Sequence, residues 1–275
     1  MTVAVDVGSL AADLADEQDA LDAVVASLTD EQWQLLTPSP GWTVADQIGH
    51  LTYFDGTATT AIEDPAAFAT SRDRLVQATL DGTTSAEDLT LGAYRAMGAP
   101  ALVEAWRENR RCLGRAATTL TDDVRVEWYG PSMSAKSFLT ARLMETWAHG
   151  QDIVDTARDA GVAANREPSH RLRHIAQLGV ITRGWSYLNR RMEVPEGDVR
   201  IEVLAPSGET WTWGPEDAAD SVRGPAEDFC LVVTQRRHPH DTRLEVAGDV
   251  ARDWLVHAQA FAGAPTDGPT ATSQP

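Results

Sequence analysis

Four stretches in the first 160 residues repeat their apolar side chains every three or four positions, a spacing that places them along one face of an α-helix. In "SLAADLADEQDALDAVVASL" the stripe is Leu10, Leu14, Leu21, Val24, Val25 and Leu28, with acidic residues opposite. "TPSPGW" interrupts the pattern, and Thr43 with Asp46 then gives a Thr-x-x-Asp start signal for a second helix through "VADQIGHLTYFDGTAT". Residues 65–97 read as shorter helical pieces broken at Asp81-Gly82, after which Gly98 and Pro100 open "ALVEAWRENRRCLGRAATTL". "TDDVRVEWYGPSM" reads as a loop with a brief extended stretch. Ser134 then caps "AKSFLTARLMETWAHGQDIVDTARDAG", which Gly161 ends. Such stripes are buried most simply against one another, so a four-helix bundle is expected over residues 1–162.

The texture changes beyond it. One helix is expected after Pro168, in "SHRLRHIAQLGVITRGWSYLNRR", followed by a β-hairpin of "VRIEVLA" and "ETWTWG" about Pro206-Ser207-Gly208. "PAEDFCLVVTQRR" and "DVARDWLVHAQAFAG" read as helices with a strand in "TRLEVAG" between them. This makes a smaller α+β domain over 163–262, and "GAPTDGPTATSQP", residues 263–275, is expected to be a disordered tail. The fold class is therefore α+β, mainly α.

Forty-one acidic residues against twenty-three basic ones give a formal net charge of −18, which repels phosphate backbones and anionic lipid. Neither nucleic acid nor a membrane is an expected partner; the chain should act on a small molecule, as a monomer or homodimer. Cys112 and Cys230 have no CxxC neighbour, so no disulfide framework or thiolate zinc site is indicated. With no basic n-region and no apolar run of ~20 residues, the expected location is cytoplasmic. GxSxG, Walker A, GxGxxG and HExxH signatures are missing, which removes the usual support for serine hydrolase, P-loop, Rossmann and zincin readings.

The chemistry concentrates in the fourth helix. Glu145 and His149, four residues apart, project to one side with ~6 Å of rise between them, close enough to grip one small object. Met144 and Trp147 flank them, and an ionised Glu145 turned toward such neighbours is costly unless it is paired or holds a cation. His50 supplies a third ligand if the second and fourth helices are neighbours. One carboxylate with two imidazoles suits Zn2+, with Fe2+, Ni2+ or Mn2+ as competitors, and leaves a coordination position open. Asp46 and Asp152, each one turn from a histidine, are placed to accept from the imidazoles, as carboxylates behind metal-bound histidines do. Arg142, one turn before Glu145, is expected either to pair with it or to bind a substrate carboxylate, and Trp42 to border the pocket.

Alone, an E-x-x-x-H pair is more often a surface pair or a satisfied core histidine. His238-Pro239-His240 is more often an exposed turn than a ligand set. The series Arg166, Arg171, Arg173, Arg183, Arg190 and Arg191 reads as a solvated face sooner than as an anion site.

"GWTVADQIGHL" and "RLMETWAHGQDI" resemble the two ligand-bearing helices of the DinB-like superfamily, specifically its actinobacterial branch of mycothiol-dependent maleylpyruvate isomerases. Trp42, Thr43, Val44, Asp46 and His50 carry the first match, Glu145 and His149 the second, and the likeness spans roughly residues 10 to 160. It implies a four-helix bundle with a divalent metal held by His50, Glu145 and His149. It also implies an isomerase or S-transferase that takes a low-molecular-weight thiol such as mycothiol as thiolate and adds it to a small electrophilic substrate. "GPAEDFCLVV" and "HPHDTRLEVAGDVARDWL" resemble a module named after wyosine formation, a departure from the isomerase that leaves the substrate open. The same three ligands would serve a metal-dependent hydrolase or secondary-metabolism tailoring enzyme using metal-bound water, or a non-catalytic stress or binding module stabilised by its metal.

Overall fold

Asp6 opens the first helix of the computed structural model, which describes residues 5–82 and 85–272; its carboxylate accepts from the Ser9 amide at 2.7 Å. Two units divide after Arg166. In the first, α1 (Val7–Val25) is followed by α2 (Val44–Glu63), whose start is a complete capping box. The Asp46 amide donates to Thr43 Oγ1 at 3.2 Å, and Asp46 Oδ2 accepts from the Thr43 amide at 2.9 Å. The shorter pieces are α3 (Pro65–Leu80) and α4 (Ala86–Arg95), and α5 (Ala99–Ala117) begins beside Pro100. A two-stranded ribbon, β1 (Arg125–Val126) with β2 (Met133–Ser134), leads into α6 (Ala135–Asp159), capped by Ser134.

The four long helices α1, α2, α5 and α6 share one core, in which Leu21, Ile48, Leu51, Trp106 and Ile153 are fully buried. The expected bundle is therefore present. Buried polar side chains also tie the helices together. Arg142 on α6 donates to Asp55 Oδ1 on α2 at 2.9 Å, with their side chains 4% and 0% exposed, and Gln18 on α1 donates to the other Asp55 oxygen at 3.1 Å. Arg166 donates to the Trp147 carbonyl at 2.8 Å and to Gln151 at 2.7 Å.

In the second unit the helix expected after Pro168 is two helices, α7 (Leu172–Ile181) and α8 (Arg183–Leu188). They break at Thr182, whose hydroxyl turns back on the Leu178 carbonyl at 2.7 Å, a local bond that competes with helix continuation. The sheet has the order β4-β3-β5-β6, with β3 (Val199–Leu204), β4 (Thr210–Trp213), β5 (Asp220–Pro225) and β6 (Glu245–Ala247). The hairpin β3–β4 and strand β6 lie where the sequence places them, and Trp211 is buried beside the half-buried Trp213 two residues on. Strand β5, parallel to β3, has no counterpart among the sequence expectations. Helices α9 (Ala226–Val233) and α10 (Asp249–His257) complete the unit.

The segment expected as a tail is held to this unit at several points. Arg190 pairs with Asp267 at 3.0 Å, Gln235 donates to the Thr266 carbonyl at 2.9 Å, and the Thr272 amide donates to Asp241 at 2.9 Å. Residues 273–275 lie outside the described residues. Among the described residues no helix is long and apolar enough to cross a membrane.

Candidate metal centre

Helix α2 carries His50 and helix α6 carries Glu145 and His149, and the packing of these helices brings the three side chains together. Both imidazole Nε2 atoms approach the same carboxylate oxygen, Glu145 Oε2, at 3.4 Å from His50 and 3.1 Å from His149. One ligand atom from each residue lies within 4.8 Å of the other two. The side chains keep 18%, 23% and 12% of their surface exposed, in the order His50, Glu145, His149, so the cluster is reachable from outside.

Aromatic rings frame it. Trp42 stacks on His149 at 5.9 Å between centroids with planes 17° apart, and lies 5.3 Å from the His50 ring. Phe54 sits 4.6 Å from the His50 ring, backed by Trp128 and Tyr129 from the loop between β1 and β2. Trp42 thus borders the site as expected. Phe54 was missed, although it follows His50 by one helical turn and that spacing puts both on one face.

The electrostatics suit a cation. Burial alone would raise the Glu145 carboxyl, but the His149 and His50 imidazoles outweigh it and hold the group well below the usual carboxylate range. Burial, and then the neighbouring His149, push His50 down to about 4 against a partial opposing effect of Glu145. At neutral pH the pocket therefore offers an ionised carboxylate and a neutral His50, the protonation states that a divalent metal requires of its ligands. The residues present fit a divalent cation.

A pH dependence follows for the metal-free protein. His50 titrates near 4 when folded and near 6.5 when unfolded. As pH falls through that window the unfolded chain takes up the proton first, so stability is lost on acidification, by up to about 3 kcal/mol. The depressed Glu145 carboxyl acts in the same direction, its contribution disappearing below its unfolded value of 4.5. Thermal melts of the wild type should fall steadily over this range and those of His50→Asn should fall less; parallel curves would contradict the assignment.

Three expected partners are placed differently. Asp46 is committed to the cap of α2 and to Arg95 Nε, 2.6 Å away, and does not serve His50. Burial would raise its carboxyl, but Arg95 and the Thr43 donors outweigh that and keep it low. Asp152 accepts from Ser39 Oγ at 3.0 Å and from Gln47 Nε2 at 3.3 Å. Gln47 in turn places Oε1 2.5 Å from His149 Nδ1, so this amide stands between Asp152 and the imidazole. Arg142, expected on Glu145 or on a substrate, is buried against Asp55 through Nε and Nη2, with its guanidinium 5.9 Å from the Phe54 ring.

His238 caps a short 3-10 turn, Pro239–Asp241, that contains His240, and their rings meet edge to face at 4.9 Å. The arginine series is dispersed: Arg166 is buried in the first unit, Arg183 donates to the Pro195 and Gly197 carbonyls, and Arg190 pairs with Asp267.

Comparison with known proteins adds three findings. Residues 14–154 match the mycothiol maleylpyruvate isomerase N-terminal domain, and residues 195–247 match the wyosine base formation domain. Uncharacterized proteins from two strains of Mycobacterium tuberculosis are each 43% identical over 263 residues, 96% of this chain and 99% of theirs. Crystal structures of a mycothiol-dependent maleylpyruvate isomerase and of its histidine-to-alanine mutant share the fold with a TM-score of 0.55, at 16% identity over 84% of this chain and 90% of that one.

Proposed function

This chain belongs to the mycothiol maleylpyruvate isomerase N-terminal domain family, and from that membership we propose that it is a metal-dependent isomerase or S-transferase acting on a small electrophile with a low-molecular-weight thiol as co-substrate. The observation that carries the proposal is the convergence of His50, Glu145 and His149 from two helices, with part of each side chain still exposed. These residues would hold the cation, and a set of one carboxylate and two imidazoles favours Zn2+. A bound divalent cation supplies one thing here: it lowers the pKa of a thiol or water, so that a nucleophile exists at neutral pH.

The chain's own side chains do the rest. Glu145 provides the negative charge that favours a cation between the imidazoles. Trp42 and Phe54 wall the approach with apolar surface, which limits water there and offers ring faces to an organic substrate. The protein's own thiols are poor nucleophiles: burial and the Glu108 carboxylate raise the Cys112 pKa, and burial raises that of Cys230 well above its usual value. An external thiol, mycothiol in the first instance, therefore fits better than an internal one.

The test is turnover by Zn2+-loaded protein of a maleylpyruvate-like acid and of an epoxide, each with and without mycothiol. Consumption that requires the thiol and vanishes in His50→Ala supports the proposal. Turnover without thiol that places labelled oxygen from water in the product would replace it with a hydrolase. Inertness with every thiol, while metal removal lowers only the melting temperature, would replace it with a non-catalytic module.

A further inference from the structure

We propose that Gln47 is a positioning residue that fixes His149 as its Nδ1–H tautomer, leaving Nε2 as a bare lone pair directed at the site. The inference rests on the metal-site reading above for its purpose, but its geometry stands independently of it. Gln47 is fully buried on α2, one turn before His50. Its amide nitrogen lies 2.8 Å from Thr37 Oγ1 and 3.3 Å from Asp152 Oδ2. The Thr37 hydroxyl spends its own proton on the Trp42 carbonyl, 3.0 Å away, so toward Gln47 it can only accept. Asp152, 3% exposed and already accepting from Ser39 Oγ, is also an acceptor.

Two acceptors at one end of the amide fix its orientation. The nitrogen must face them, and Oε1 must face His149 Nδ1, which it approaches to 2.5 Å. A flipped amide would set its oxygen against Thr37 Oγ1 and Asp152 Oδ2 on a fully buried side chain. Since Oε1 can only accept, Nδ1 must carry the proton. In neutral His149, Nε2, 3.1 Å from Glu145 Oε2, is then the unprotonated nitrogen, the form that binds a metal, and a cation between the two is what would relieve the contact of lone pair with carboxylate. The orienting path thus runs from Asp152 through Gln47 to His149, one residue longer than a direct carboxylate–imidazole pair.

The tautomer is read by long-range 15N–1H NMR on metal-free protein above neutral pH, and Zn2+ affinity by competition with a chromophoric chelator. Wild type should show His149 as Nδ1–H. Asp152→Asn, nearly isosteric, offers the amide a donor, allows it to turn over, and should move His149 toward Nε2–H while weakening Zn2+ binding about 10- to 100-fold. Gln47→Leu should weaken binding to a similar degree, and Gln47→Glu, which keeps an acceptor on Nδ1, should retain the tautomer. Wild-type His149 found as Nε2–H, or both Asp152→Asn and Gln47→Leu binding Zn2+ like wild type, would overturn the proposal. Wild type with the Nδ1–H form but no Zn2+ binding would support the tautomer assignment and overturn the metal site alone.

Discussion

Glu145→Ala is expected to lose bound metal, with an affinity for Zn2+ about two to three orders of magnitude below wild type. Glu145 is the one anionic donor of the cluster, and both imidazole Nε2 atoms converge on its Oε2. Removing one member of a partly desolvated charge contact costs about 3–5 kcal/mol, and each 1.4 kcal/mol is about tenfold in affinity. His50→Ala removes a neutral donor and should lose somewhat less. Elemental analysis after dialysis, with a chelator titration for affinity, reads both. Metal retained at wild-type stoichiometry in both variants would place the ion elsewhere.

The second large effect is on stability. Arg142→Ala strands the fully buried Asp55 carboxylate, leaving it neutral donors such as the Gln18 amide in place of a cation, and Asp55→Ala strands the guanidinium. Each single variant should lose about 3–5 kcal/mol, the scale for breaking a buried ion pair by removing one partner. For a unit of this size that is a fall of roughly 10 °C in melting temperature. The double variant should recover part of the loss, because no lone charge then remains buried, and the cycle gives the coupling directly. Strictly additive losses would mean that the pair is not what joins α2 to α6. Asp55 lies five residues after His50, and Arg142 three before Glu145, so the singles should also weaken metal binding by shifting the two ligand-bearing helices.

Local features were legible in the sequence and tertiary ones much less so. The Thr43–Asp46 capping box, the Ser134 cap and the apolar stripes are set by residues within a turn or two of each other, and each is found where the sequence puts it. The ligand cluster was legible because Glu145 and His149 share a helical face and because the His50 segment resembles a ligand-bearing helix. Asp46 shows how one residue was counted twice: the start signal that identifies α2 already commits its carboxylate to the Thr43 amide, leaving it unsuited to His50. The partners of Arg142 and Gln47 depend on how α2 meets α6, which no spacing within either helix encodes. Strand β5 escaped notice because "DSVRGP" holds charge, glycine and proline in place of an alternating apolar run. The break at Thr182 was hidden by an apolar pattern that continues across it.

His50 and Glu145 are separated by 95 positions along the chain. An unfolded polypeptide would have to close that whole loop to bring them together, at an entropic cost that grows with its length, so denatured chains make poor chelators. Cation binding then acts almost wholly on the folded form, and ligand at a thousand times its dissociation constant would add about 4 kcal/mol to stability. Occupancy would accordingly protect this half of the polypeptide from proteolysis and heat, and starvation for the ion would be felt first as shortened lifetime.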